Sequence, residues 1–384
     1  MIEKLVRKEV KSLPSGFWYK EPPKHRIILD SGENVISVTS NVRKSIKASV
    51  DNINRYPDPT QSKLKKALAE YNKCKFENIV VTNGSDEAIE LLAKTFLNKN
   101  DKIITLTPSF PTYKNAALLM GAKVIEIKLN NDFSFPVEKL ISSIDRKVKI
   151  IFIANPNNPT GNLLVNERNI KSILKKFSGL LVLDECYYEL CKKTFLYLIK
   201  DYKNLVILRS MSKTYSLAGL RIGYIIANKD VVSWLKRVSD TLQPFRVNAI
   251  AQAAALKSLE SEATIQKFLK TKRKFYSKLK EIKGIKVYPS ETTFFLIELK
   301  TKNSLYMKKM LEKYGISIKD CSAFGLEPRY ILKDTRLSDI PKTSKSSESS
   351  VFGYIRIGVP AEKDMLYVIN ILKKILHYKY KNKL

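Results

Sequence analysis

Short apolar, β-branched runs recur through the middle of the chain, at 79–82, 102–106, 124–129, 149–154, 180–183, 205–208 and 222–227. Each has the length of a strand, and most are followed by longer stretches of helical period, such as 87–97 and 167–177. Strands that alternate with helices predict a mostly parallel sheet covered on both faces, and hence an α/β lobe. A breaker-poor stretch at 247–282 predicts one long linking helix. Strand-like runs at 285–288, 293–299, 316–319 and 354–357 follow, with helices near 304–314 and 362–376. That pattern predicts a smaller α+β lobe. The expected division is an N-terminal arm packing on the small lobe (1–50), a large lobe (51–246), and a linking helix with the small lobe (247–384). The Ser-rich polar stretch at 341–350 reads as a mobile loop.

Two strand ends carry turn chemistry. Val81-Thr82 runs into Asn83-Gly84-Ser85-Asp86, and Ile153-Ala154 runs into Asn155-Pro156-Asn157-Asn158-Pro159-Thr160-Gly161. In open α/β sheets, ligands gather at such strand C-termini.

Composition narrows the chemistry. The 384 residues are 44% hydrophobic, enough for a sizeable core, and no run of about 18 apolar residues suggests a membrane span. The first ten residues lack the pattern of a secretory signal. The net charge is +32, but only 14 of the 69 basic residues are Arg, and Lys is scattered through most segments. Without a basic arm or a nucleic-acid-binding motif, this reads as lysine-rich surface rather than nucleic-acid binding. Cys74, Cys186, Cys191 and Cys321 form neither a zinc spacing nor a disulfide framework, which points to a reducing, cytoplasmic compartment. His25 and His377 are the only histidines. That argues against a His-ligated metal and against His-based nucleophilic catalysis, so no metal is expected. Acid–base chemistry must come from Lys, Tyr, Asp or Glu, or from a cofactor.

Four segments supply complementary groups. Lys213, in Ser210-Met211-Ser212-Lys213, follows a buried strand, where desolvation would make its amine nucleophilic. Ser210, Ser212 and Arg221 lie near it in sequence and could hold a phosphate dianion. Asp184 ends another buried strand and needs a cationic partner to stay ionised. The turn at Asn158 can donate to a phenolate. Gly84, Ser85 and Asp86 begin a helix whose free N–H groups favour an anion. Singly, each has a plain reading as a surface Lys, a strand-end cap, a turn or an N-cap. Together they match pyridoxal 5′-phosphate (PLP), which needs a Lys, an acidic partner for its ring nitrogen, a phenolate donor and a phosphate cup.

With these motifs in this order, the chain resembles the fold-type I PLP-dependent aminotransferases over about residues 55–358, and within them the histidinol-phosphate aminotransferases. The resemblance implies an aspartate aminotransferase-like fold and a cytosolic homodimer. It implies a ping-pong aldimine mechanism that moves an amino group between an amino acid such as glutamate and a small oxo acid or oxo-phosphate. Carried over by position, Lys213 binds the cofactor and shuttles the proton, while Asp184 keeps the ring nitrogen protonated. Tyr187 and Asn158 bond the ring hydroxyl, and Phe110 stacks on the ring. Ser85, Asp86, Ser210, Ser212 and Arg221 hold the phosphate. Tyr56 reaches a partner's cofactor across the dimer interface, and Arg356 binds a carboxylate through its fork.

Some segments depart from the family pattern. Lys319 stands where the histidinol-phosphate enzymes carry an Arg for the substrate phosphate. The stretch 327–352 is longer than usual and is read as a lid, and Asp30-Ser31-Gly32-Glu33-Asn34 matches only in part. The segment Asp320-Cys321-Ser322-Ala323-Phe324 resembles threonine-phosphate decarboxylases, which gives a first alternative. A non-catalytic or nucleic-acid-binding protein reusing the fold is the alternative of another class.

Overall fold

The alternation along 79–227 closes into one seven-stranded sheet in the computed structural model, which describes residues 2–14, 27–300, 302–326, 329–331 and 350–377. The strands are β1 (Ile27–Ile28), β2 (Ile79–Thr82), β3 (Lys102–Thr107), β4 (Lys123–Lys128), β5 (Val148–Ala154), β6 (Leu180–Asp184), β7 (Leu205–Ser210), β8 (Gly223–Ala227), β9 (Ile285–Val287), β10 (Phe294–Leu299), β11 (Ile316–Ser317), β12 (Lys319–Asp320), β13 (Arg329–Ile331) and β14 (Ser350–Gly358). The helices are α1 (Lys8–Lys11), α2 (Ser40–Val50), α3 (Ser62–Asn72), α4 (Gly84–Phe96), α5 (Thr112–Leu119), α6 (Val137–Ser142), α7 (Glu167–Lys176), α8 (Tyr188–Cys191), α9 (Lys229–Leu242), α10 (Ala249–Ser258), α11 (Ala263–Lys280), α12 (Ser304–Lys313) and α13 (Glu362–His377).

The large sheet has the order β2-β8-β7-β6-β5-β3-β4, and only β8 runs antiparallel to its neighbours. Both faces are buried, because alternate side chains of one strand enter different cores. Ile151 and Ile153 of β5 join one apolar cluster, and Ile150, Phe152 and Ala154 join the other. The parallel strands β3, β5, β6 and β7 therefore end on one rim, which carries Phe110, Asn158, Asp184 and Lys213. A second, antiparallel sheet has the order β12-β14-β10-β9. Its register sets Lys319 directly opposite Arg356.

Three expectations are corrected. The helix expected over 247–282 is two helices, α10 and α11, broken at 259–262. There the Ser261 hydroxyl accepts from the Ala263 N–H, a local alternative to the helical ladder. The run 316–319 divides between two sheets: β11 pairs in parallel with β1, and β12 pairs with β14. The first 50 residues do not act as one arm on the small sheet. α1 packs on α5, where Arg7 donates to the Leu119 carbonyl, and α2 packs on α10. Among the described residues, β1 and the 29–32 segment after it join the C-terminal part: β1 pairs with β11, Gly358 donates to the Leu29 carbonyl, and Thr293 donates to the Gly32 carbonyl. Of 327–352, residues 329–331 and 350–352 pair as β13 and the start of β14, and the lid reading otherwise lies outside the described residues, as does His25.

Candidate active site

The rim encloses a cavity of about 640 Å³ between the two sheets. Ser85, Asp86, Phe110, Asn158, Asp184, Tyr187, Ser210, Ser212, Lys213, Arg221, Lys319 and Arg356 all line it. The sequence reading expected all twelve, although they span more than 270 residues of chain.

Lys213 sits on the turn after β7, and its Nζ donates to the Ser31 carbonyl at 2.8 Å. Desolvation, reinforced by the positive charge of Arg356, pushes its pKa down to about 8. The turn is held from both sides. Thr214 donates to buried Glu189 at 3.1 Å, and the Asn34 amide donates to the Thr214 carbonyl at 2.9 Å.

Asp184 is buried at the end of β6. Its carboxylate accepts from the Tyr113 hydroxyl at 2.5 Å and from the Cys186 N–H at 3.0 Å. Burial raises its pKa, and these hydrogen bonds oppose the rise. Among the described residues no cation pairs with it, so the site is built for a cationic ligand group. Burial likewise raises the Tyr187 phenol. Phe110 meets Tyr113 edge-on, and Tyr113 stacks on Phe152.

The opposite end carries the N-terminus of α4. Arg221, itself at φ +56°, reaches Asp86 at 2.9 Å. Gly84 does not line the cavity but makes this approach possible. It has φ +84°, and a Cβ there would lie 2.5 Å from Arg221 Nη2. Gly223 is equally constrained, since its Cβ would lie 2.5 Å from the Gly84 carbonyl carbon.

Buried Arg356 donates to Asn158 Oδ1 at 2.6 Å and to the Asp30 carbonyl, and its Nε has no partner. The guanidinium lies over the rings of Phe294 and Phe324. Thus Asn158, expected to face a cofactor, here accepts from Arg356. Lys319 lies beside Arg356, and desolvation followed by that neighbouring charge lowers its pKa.

Tyr56 stands apart. It is 81% exposed, stacks on Phe245 at 4.3 Å and does not line this cavity.

Sequence reasoning missed Tyr113 and the buried group behind the Lys213 turn. There Arg209 pairs with Glu185 at 2.8 Å, bonds Thr194 at 2.9 Å and lies 3.5 Å over the Tyr188 ring. The one available signal was a charged Arg209 inside an otherwise apolar strand.

A family model described as aminotransferase class I and II matches residues 24–338. The chain belongs to the class I and II aminotransferases. It is a PLP-dependent aminotransferase with the aspartate aminotransferase-like fold. A histidinol-phosphate aminotransferase of Thermoanaerobacter pseudethanolicus is 37% identical over 334 residues, 85% of this chain and 93% of its own length. The histidinol-phosphate aminotransferase structure from Clostridium acetobutylicum superposes with a TM-score of 0.76 at 26% identity, covering 91% of this chain and 99% of that one. The L-threonine-O-3-phosphate decarboxylase structure from Porphyromonas gingivalis gives 0.69 at 28% identity, covering 92% and 100%.

The donor set of this aminotransferase cavity fits PLP. It has an amine of lowered pKa, a buried carboxylate without a cationic partner, an aromatic wall, and a helix N-terminus with Arg221 and two buried hydroxyls.

Proposed function

We propose that this aminotransferase acts on a phosphorylated amino compound of the histidinol-phosphate type, with glutamate and its oxo-acid as the second substrate pair. The observation that carries this reading is the Lys319–Arg356 pair, two adjacent cations on neighbouring strands inside the cavity. Arg356 offers its fork to a carboxylate, and Lys319 offers a point charge to a phosphate. The T. pseudethanolicus relative bears the histidinol-phosphate name.

Bound PLP supplies an electron sink for the electrons left when the Cα proton departs. Lys213 would hold it covalently, Asp184 would keep its ring nitrogen protonated, and Tyr187 would hold its ring hydroxyl. Ser85, Asp86 (through the N-terminus of α4), Ser210, Ser212 and Arg221 would hold its phosphate, and Phe110 would cover a ring face. Freed by substrate, Lys213 Nζ takes and returns the proton at the substrate Cα, a task suited to an amine with a pKa of about 8. Arg356 turns the Cα substituents by holding the carboxylate. Buried walls exclude water from the exchange.

We also read the enzyme as a homodimer in which Tyr56 completes the partner's site. Its exposure supports this, together with exposed Val50, Ile53, Leu242 and Phe245, an apolar set that a monomer would leave in water. We further read the chain as one linking segment and small lobe beyond residue 246. Four free thiols fit a reducing cytoplasm. Among the described residues no helix is long and apolar enough to cross a membrane.

The test is product analysis. Purified protein with L-histidinol phosphate and 2-oxoglutarate should yield glutamate. Release of CO₂ from threonine phosphate without amino transfer would instead establish the decarboxylase alternative.

A further inference from the structure

A second polar cavity, of about 160 Å³, lies away from the active site between α3, the outer edge of β2, α9 and the segment after α9. Its charged lining is Lys65, Lys236 and Arg246, against one carboxylate, Asp240. Lys65 is only 5% exposed. Its Nζ lies 4.1 Å over the Phe76 ring and, among the described residues, makes no hydrogen bond or ion pair. The Arg246 side chain is 2% exposed, and its Nε is buried without a hydrogen-bond partner. Asp240 takes Arg246 at 2.7 Å and Lys236 only at 4.0 Å, and Glu87 of α4 stands 3.9 Å from Arg246. Arg246 thus has two carboxylates, one of which Lys236 also meets, while Lys65 has neither.

Buried cations are ordinarily paired, because desolvation of an unpaired charge is costly. Here the guanidinium is paired, but the Lys65 ammonium faces the same cavity without a carboxylate of its own. The cost is visible at Lys65, whose pKa falls to about 8 through burial and then through Lys236, with Arg246 also lowering it and Asp240 and Glu77 opposing. β2 adds more donors. Among the described residues β2 is the outermost strand and pairs only with β8, so its other edge carries no strand, and Ile79, Val80 and Val81 line the cavity. Hydrophobic strand walls, convergent cations and edge N–H groups make a site for a compact oxyanion.

We propose that this cavity is an anion site, distinct from the active site, that takes a phosphate group: inorganic phosphate or the phosphate end of a small monoester. The phosphate oxygens would accept from Lys65 Nζ beside the Arg246 guanidinium, with Lys236, about half exposed, closing the rim. β2 runs directly from this cavity into the Gly84-Ser85-Asp86 turn, so the bound anion loads the strand that carries the candidate cofactor cup.

The experiment is calorimetric titration of the PLP-loaded enzyme with inorganic phosphate and, separately, with glycerol phosphate, at fixed ionic strength. Wild type should show a phosphate site that survives Lys319→Met, which removes the cation assigned to substrate phosphate. Lys65→Met should weaken it about tenfold or more, the scale of a lost charge-assisted hydrogen bond. Binding of both anions assigns the phosphate group as the ligand, and binding of inorganic phosphate alone assigns the free ion; either supports the site. Lys65→Met should also melt at a higher temperature than wild type in phosphate-free buffer, because an unpaired buried cation has gone. Should that variant misfold, Lys236→Ala at the exposed rim should weaken phosphate at least about threefold. Equal phosphate affinity in wild type and the cavity variants would overturn the proposal. So would loss of all phosphate binding in Lys319→Met, which would place the anion in the substrate pocket.

Discussion

Lys213 is useful because of where its amine sits. An ordinary lysine is almost wholly protonated at pH 7, but with a pKa of about 8 roughly one amine in ten is neutral. The cofactor-free protein should therefore take up PLP at a rate that climbs with pH up to about 8 and then levels off. Stopped-flow absorbance would follow it, and a climb continuing toward pH 10 would mean that the amine is not desolvated. Asp184 depends in turn on Tyr113, whose hydroxyl is its nearest donor. Tyr113→Phe removes a bond that favours the carboxylate, so the Asp184 pKa should rise further and kcat fall about tenfold. The pH midpoint of the cofactor's absorption should move with it, and an unmoved midpoint would reduce Tyr113 to packing. Lys213 and Asp184 were legible because each lies in a local strand-to-turn motif. Tyr113 was not, since its partner lies 71 residues away and nothing in Pro111-Thr112-Tyr113 announces the pairing.

At the scale of elements, the proposed phosphate cup rests on two glycines. β8 presses against the start of α4, where Gly223 leaves no room for a side chain beside Gly84 and Ser85. Gly223→Ala would push the α4 N-terminus off the anion position, and Gly84→Ala would displace Arg221. Each should weaken PLP binding about tenfold or more, measured by equilibrium titration, with a smaller effect on amino transfer at saturating cofactor. A kcat loss that excess PLP does not relieve would move these glycines from cofactor binding to chemistry. The strands of the large sheet were readable because both faces are buried, so each is a plain apolar run bounded by turn residues. The break between α10 and α11 was not, because 259–262 contains neither Gly nor Pro and the interruption rests on one serine hydroxyl. The division of 316–319 between two sheets depends on β1, whose pairing across the chain no local pattern discloses.

Over the whole molecule, buried amines shape the pH response just above neutrality. Lys65, Lys213 and Lys272 are all pushed down to about 8, chiefly by burial. Between pH 8 and the ordinary lysine range, the unfolded chain holds more protons than the folded one, so stability rises with pH there, while below pH 8 the full cost is present. Urea midpoints of the cofactor-free protein should increase from pH 7.5 to 8.5, below the range where the buried thiols, raised by desolvation, oppose the amines, and the slope should flatten in Lys65→Met and Lys272→Met. A falling midpoint would contradict the buried-amine account. The net charge of +32 has a smaller role, as four cations line the active cavity and most of the surplus is surface lysine. If Tyr56 serves the partner's site, dimers of a Tyr56→Ala subunit with a Lys213→Ala subunit contain one intact site. Mixing the two inactive variants should then restore up to about a quarter of wild-type activity, and no recovery would confine each site to its own subunit.

The most direct measurement is a single half-reaction. Purified PLP-loaded enzyme is mixed with L-glutamate alone, and the cofactor's absorbance is followed together with released 2-oxoglutarate. Wild type should convert the cofactor from its aldehyde to its amine form with one oxo-acid per site, and Lys213→Ala should slow this by several orders of magnitude while keeping its fold. Conversion at the wild-type rate without Lys213, or CO₂ in place of the oxo-acid, would contradict the account.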